Sequence, residues 1–399
     1  MRSVLLATLL LLVTVLFSGP SVGQAEEVGS WTLPGEGAGP LVVNPVDGSL
    51  WTFFHQTGNL VALDTSDGSV RLDVPLTIRP TSLAFSADGR FAYLVGEPLD
   101  DQIIDRGLVQ VISAADGRVI AELAMEGACN AVHVAESGAI YVACGMQYAY
   151  QGTVYKLAVN TDNTGRISLA VENQAACGKI PWAVATFEGN LYVTDLELQW
   201  TSQPDGSMGP PYGSWVWIYD AETLEFIDRS WVGINPSRLA MSGSGMLVAC
   251  SGSKQGGDAW AEPALSLLRS PGESEPILIG ESGASDLAVS PDGSWAVASL
   301  ADWGPPAEGS AMSFFHQANP RRFPEARRWN YTGDIAIVAT ADGEPQVQRV
   351  TVLSDLFVRA VAISADGNTV YALQGDPERI LAIPVELLRS ASGGPILGD

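Results

Sequence analysis

The residues best suited to binding chemistry are basic side chains in a chain that has few of them. Lys and Arg number 21 against 45 Asp and Glu, a formal charge of -24. Arg321, Arg322, Arg327 and Arg328 crowd one short stretch, while Arg79, Lys179, Arg238 and Arg359 each stand just before, or at the start of, an apolar run. A guanidinium fork matches the geometry of a carboxylate or a phosphate. These eight positions therefore point to an anionic ligand or an acidic partner surface. The competing use is local pairing with acids such as Asp100, Asp101, Asp286 and Glu325. Large rings share the same stretches: Trp200, Tyr212, Trp260, Trp303, Phe314, Phe315, Trp329 and Tyr331, with His316 among them. Amphipathic rings on exposed loops are interface residues, unless they fold back and pack locally.

Catalytic and metal chemistry is thinly supplied. The histidines are His55, His133 and His316, and a histidine-based zinc or copper site needs most of them to converge. His133 lies inside a strand pattern and reads as a hydrogen-bonded core residue. No Gly-x-Ser-x-Gly elbow frames a nucleophile, and Ser251 to Gly257 lacks the ending of a phosphate loop. Asp100, Asp101 and Asp105 carry calcium-type oxygens without EF-hand spacing. Asp195, Glu197 and Asp302 are the acids best placed for proton transfer or ion binding. No catalytic residue, metal ligand or cofactor is assigned from these patterns.

The elements that must position these residues come from a repeat. Seven segments align on a Gly-containing turn: Leu41 to Phe54, Ser82 to Gly96, Ala131 to Cys144, Trp182 to Asp195, Arg238 to Ser251, Asp286 to Leu300 and Ala360 to Gly375. Each is an apolar run, a turn and a second run rich in Val, Tyr, Trp and Leu, which is a hairpin pattern. A second hairpin follows most of them, as in Asn59 to Leu76 and Gly107 to Met125. Two hairpins make a four-stranded antiparallel blade, and a blade of about 40 to 45 residues repeated seven times makes a seven-bladed, all-β propeller. The last repeat holds three strands, with Ile380 to Val385 as its third, before a Ser/Gly/Pro-rich end. Val28 to Leu33 is a lone strand before the first repeat, and supplying the missing fourth strand would close the ring and remove open edges.

Phrases such as SADGRFAYLVG, SPDGSWAVASL and SADGNTVYALQG resemble the YVTN-type propeller repeat over nearly the whole mature chain. That repeat is shared by exported bacterial propellers, lactonase-like propellers and the heavy subunit of amine dehydrogenases. The resemblance implies the propeller fold and leaves activity open, because one fold hosts many functions. The Tyr-Val-Thr-Asn phrase survives only as Tyr192-Val193-Thr194-Asp195, and there is no Cys-x-x-Cys-His for haem attachment.

In such a ring the turns between strands one and two, and three and four, share one face. Here they are short. The opposite face receives the insertions: Glu97 to Arg106 in blade two, Leu196 to Gly213 in blade four, Ser253 to Glu262 in blade five and Trp303 to Gly333 in blade six. Long loops on a rigid scaffold collect binding residues. The candidate set is thus Arg79, Lys179, Arg238, Arg359, Arg321, Arg322, Arg327, Arg328, Trp200, Trp303, His316 and Trp329.

The chain starts with Met1-Arg2, an apolar run from Val4 to Phe17 and a small-residue site at Gly23-Gln24-Ala25. This predicts an export leader over residues 1–25, a propeller over 26–390 and a tail over 391–399; the alternative is an uncleaved anchor. Export allows disulfides among Cys129, Cys144, Cys177 and Cys250. Cys129 and Cys144 flank the Ser137-Gly138 turn symmetrically, which predicts a cross-hairpin bridge and leaves Cys177 and Cys250 as the second pair. The strong negative charge disfavours nucleic acid, and no later stretch is apolar enough to cross a membrane. These features describe a secreted or periplasmic binding or scaffold propeller, without catalysis, whose long-loop face takes a protein partner or a small anionic ligand. The other reading is an enzyme: a lactonase-like hydrolase, or the propeller subunit of a periplasmic dehydrogenase.

Overall fold

Second strands are mostly apolar and buried because each blade is sandwiched between two others. Leu50–Phe54 is buried at all five positions and Gly245–Cys250 at all six. Outermost strands alternate instead, as Val70–Pro75 does, since they meet solvent on one side. The computed structural model describes residues 28–99, 106–145, 151–202, 208–255, 258–260, 264–279, 282–302, 331–340, 345–352, 357–375 and 378–391. Within these, seven four-stranded antiparallel sheets form the seven blades of a propeller, joined by a small two-stranded hairpin.

The core lies between blades. Trp51, Phe53 and Leu60 of blade one pack with Leu83, Phe85, Leu94 and Ile112 of blade two. Leu247, Leu265 and Ala249 of blade five pack with Leu287, Leu300 and Val338 of blade six.

The ring closes as the sequence predicts. Gly29–Thr32 pairs antiparallel with the third strand of blade seven, Arg379–Pro384, with Trp31 opposite Ile380. The expected run-out after Val385 is instead a short helix, Val385–Ser390, which buries Val385 and Leu388 against blades six and seven. The predicted leader, and the tail beyond residue 391, lie outside the described residues.

Three of the short turns share one chemical device. In Ser-x-Asp-Gly the serine hydroxyl donates to the aspartate and accepts a backbone N–H from the next strand. Ser86 Oγ lies 2.6 Å from Asp88 Oδ1 and accepts Phe91 N–H, and Ser290 and Ser364 repeat this with Asp292 and Asp366. The serine hydroxyls are the foremost cause holding Asp88 and Asp292 down to a pKa of about 2. Gly89 and Gly293 follow with φ of 64° and 71°, a conformation costly for any residue with a Cβ.

Candidate functional site

In blades two to seven the first strand approaches the central channel with a bulge near its start, which frees a side chain to reach the next blade. Thr81, Asn130 and Ser237 sit at these bulges. Thr81 Oγ1 donates to the Cys129 carbonyl at 2.7 Å, Asn130 Nδ2 to the Pro181 carbonyl at 2.8 Å and Ser237 Oγ to the Ser285 carbonyl at 3.2 Å. These are inter-blade clasps around the channel mouth. The sequence reading missed them because a small polar residue at the start of a strand has no distinctive pattern.

Each predicted basic residue of the mouth has a local partner. Arg79 Nη2 donates to the Leu99 carbonyl at 3.1 Å. Lys179 pairs with Glu197, which holds its ammonium above the usual lysine range. Arg238 Nε lies 2.8 Å from Asp286 Oδ1. Asp286 is buried, and its other oxygen accepts the Val361 N–H at 3.0 Å, so one carboxylate ties blades five, six and seven. Arg359 Nη1 lies 2.5 Å from Glu378. Asp286, the partner of Arg238, is one of the acids named beforehand as competing local partners of these basic residues.

Two of the insertions contain described strands. Leu196 to Gly213, read as a loop, extends the pairing of the second and third strands of blade four: strands Asn190–Ser202 and Met208–Asp220 have 13 residues each. Second strands of the other blades have five to eight. Beyond Asp195, opposite Trp215, the pairing runs on through Gln199 with Gly213 and Trp200 with Pro211. Pro210, Pro211 and the glycines of this segment read as loop residues, yet a projecting hairpin tolerates them because its edges are unconstrained by neighbours. In blade five, Ser253–Gln255 pairs with Asp258–Trp260. Arg321, Arg322, Arg327, Arg328, Trp303, His316 and Trp329 lie outside the described residues, so their contribution is unassigned.

At the base of the blade-four hairpin, Asp195 is buried and accepts the N–H groups of Ile180 at 3.0 Å and Glu197 at 3.1 Å. Burial is the larger influence and pushes its pKa above the usual aspartate value. Gly178 presses against this carboxylate so closely that a Cβ there would meet Asp195 Oδ2 at 1.9 Å.

His133 bridges blades three and four as the core residue expected of it. Its Nε2 lies 2.9 Å from Thr186 Oγ1 and accepts the Thr186 N–H at 3.2 Å, so the neutral ring carries its proton on Nδ1. Burial depresses its pKa to about 4. His55 Nδ1 donates to the Pro80 carbonyl at 2.9 Å, on the opposite side of blade two. Among the described residues no three metal-ligating side chains gather.

Cys129 and Cys144 are opposite residues in one hairpin and form the predicted disulfide. The second predicted bridge does not form. Cys177 and Cys250 are free thiols in different cores, one between blades three and four and the other between four and five. Burial raises both thiol pKa values, that of Cys250 to about 12. An even cysteine count made two bridges appear natural, but both thiols have apolar neighbours in place of each other.

The fold and this mouth define a seven-bladed propeller with a polar, clasped channel. Solved structures share that architecture. A chain of hydrazine synthase from Kuenenia stuttgartiensis superposes with a TM-score of 0.58 at 13% identity, covering 88% of this chain and 95% of that one. The Cps50 (Swd1) β-propeller domain from Myceliophteria thermophila gives 0.56 at 12%, covering 90% and 99%. A chain of a mitotic checkpoint complex gives 0.56 at 11%, covering 90% and 91%. No family model matches the chain, and no curated protein is similar to it. At such identities the likeness concerns the fold alone; the YVTN-type resemblance rests on the repeat phrases themselves.

Proposed function

We propose that this chain is an exported binding propeller that engages a protein partner through the face carrying its long connections. The observation that carries this reading is the blade-four hairpin, whose strands Asn190–Ser202 and Met208–Asp220 outrun every other second strand and project from that face. A propeller without such a task gains nothing from it, since the extension lies beyond the blade core. Lys179 and Glu197 at the hairpin base, Trp200 further out along its first strand, and the arginine-rich segment 303–330 are the proposed contacts. A protein partner is favoured over a small anion at the channel because Arg79, Lys179, Arg238 and Arg359 already have partners within the fold. Propeller neighbours occur in an enzyme and in a multi-protein complex by their own names, so the fold accommodates both this reading and an enzymatic one.

The test replaces residues 199–211 by a two-residue Asn-Gly turn. The variant should keep its melting temperature but lose the crosslinked species that the intact chain forms in the native envelope fraction. Equal crosslinking by both proteins would refute the assignment.

A further inference from the structure

Blade four differs from the other blades at its rim as well. Its outermost strand, Phe226–Val232, exposes Phe226 at 54%, Ile227 at 44% and Trp231 at 36%. The outer strands of blades one, two, three and six each expose a single valine: Val70, Val119, Val171 and Val347. Trp231 stacks on Trp215, its cross-strand neighbour, with ring centroids 3.4 Å apart and planes 27° apart. The Arg229 guanidinium lies over Trp215 at 4.1 Å and over Trp217 at 5.7 Å. Arginines 71, 90, 118, 238, 269, 349 and 359 each pair with a carboxylate. Arg229 is exposed and pairs with none among the described residues, in a chain with more than twice as many acids as bases. Stacking fixes the plane of the guanidinium and leaves its in-plane N–H fork free for a ligand.

A cleft of about 430 Å³ opens here between the outer strands of blades four and five. Its lining includes Trp215, Arg229 and Trp231 on one side and Ser266, Ser274 and Pro276 on the other. The combination is an indole platform, one cationic fork and the exposed Ser274 hydroxyl. Indole faces take the C–H face of a pyranose ring, and hydroxyls match its hydroxyls.

We propose that this cleft binds a carboxylate-bearing saccharide, a hexuronic acid unit within a glycan, with the sugar on the Trp231 face and its carboxylate on Arg229. A ligand with many charges fits less well. The cleft is lined by one guanidinium, Asp228 and Glu275 stand close by, and the chain as a whole carries -24. An acidic peptide or a highly sulfated glycan, with its charges packed more densely than the one carboxylate per ring of a uronate glycan, would be repelled more strongly. This site is separate from the hairpin face and does not depend on it.

The experiment is isothermal titration of the full chain with trigalacturonate, galactotriose and a penta-aspartate peptide, alongside Arg229→Ala, Arg229→Lys and Trp231→Ala. Trigalacturonate should bind saturably, and galactotriose at least about tenfold more weakly, since one charge-assisted pair is worth roughly 1.5 to 3 kcal/mol. Arg229→Ala and Trp231→Ala should each lose at least about tenfold with an unchanged melting temperature, and Arg229→Lys should fall between. Absence of saturable trigalacturonate binding, equal binding of galactotriose, an unaffected Arg229→Ala variant, or tighter binding of the peptide would each overturn the proposal.

Discussion

Arg359 Nη1 lies 2.5 Å from Glu378 Oε1, and the same carboxylate receives the N–H groups of Gly37 and Ala38, both at 2.9 Å. One side chain thus holds the last blade to the segment that enters the first. Hydrophobic packing of Leu33, Leu41 and Phe54 on Tyr371 and Leu373 surrounds this clasp.

Replacing Glu378 by Ala should therefore act on ring closure. It leaves two N–H groups and a guanidinium without their acceptor, a loss of about 2 to 4 kcal/mol. Hydrogen exchange should accelerate at Ser30 to Thr32, the strand that completes blade seven, before it does elsewhere. Uniform exchange with no local change would contradict a closing role.

Asp286 makes a similar demand between blades five, six and seven. Asp286→Ala strands Arg238 and the Val361 N–H together, for a cost of about 2 to 4 kcal/mol in chemical denaturation. Asp286→Asn keeps the shape and an acceptor, so it should cost less. If the two variants are equally stable, the charge of Asp286 has no structural part.

The cysteine assignment is countable. The unfolded, unreduced chain should titrate two thiols, and the reduced chain four, while the native protein reacts slowly because both thiols are buried. Cys129 and Cys144 are separated by 15 residues, so reduction should cost up to about 3 kcal/mol of stability. No free thiol in the unreduced unfolded chain would restore the second bridge.

His133 should make the fold sensitive to mild acid. Its pKa falls from the ordinary 6.5 to about 4 in the fold. As the pH drops through that window the unfolded chain takes up the proton first. Stability present above about pH 6.5 is therefore lost progressively down to about pH 4, by on the order of 2 to 3 kcal/mol. His133→Gln should be less stable at pH 7 but lose less between pH 7 and pH 4.5. Parallel losses in both proteins would assign the acid response to carboxylates alone.

Blade number, strand order and ring closure were legible because they rest on local rules. Ser-Ala-Asp-Gly and Ser-Pro-Asp-Gly turns specify tight connections, apolar runs specify strands between packed blades, and a lone strand before the first repeat has one vacancy to fill. The Cys129–Cys144 bridge was legible for the same reason, since both residues flank one turn in a hairpin. What lay beyond reach depended on neighbours distant in sequence. Leu196 to Gly213 has loop composition, yet continued pairing makes its described residues, up to Ser202 and from Met208, strand. Cys177 and Cys250 differ from the bridged pair only in what surrounds them. The partners of Arg238 and Arg359, and the lack of a carboxylate partner for Arg229 among the described residues, follow from which blades abut. A sequence repeat sets the form of each blade through short-range turn chemistry and side-chain period. The polar contacts between blades, and the stacked rim of blade four, arise only when the ring brings separate repeats within hydrogen-bonding and van der Waals distance.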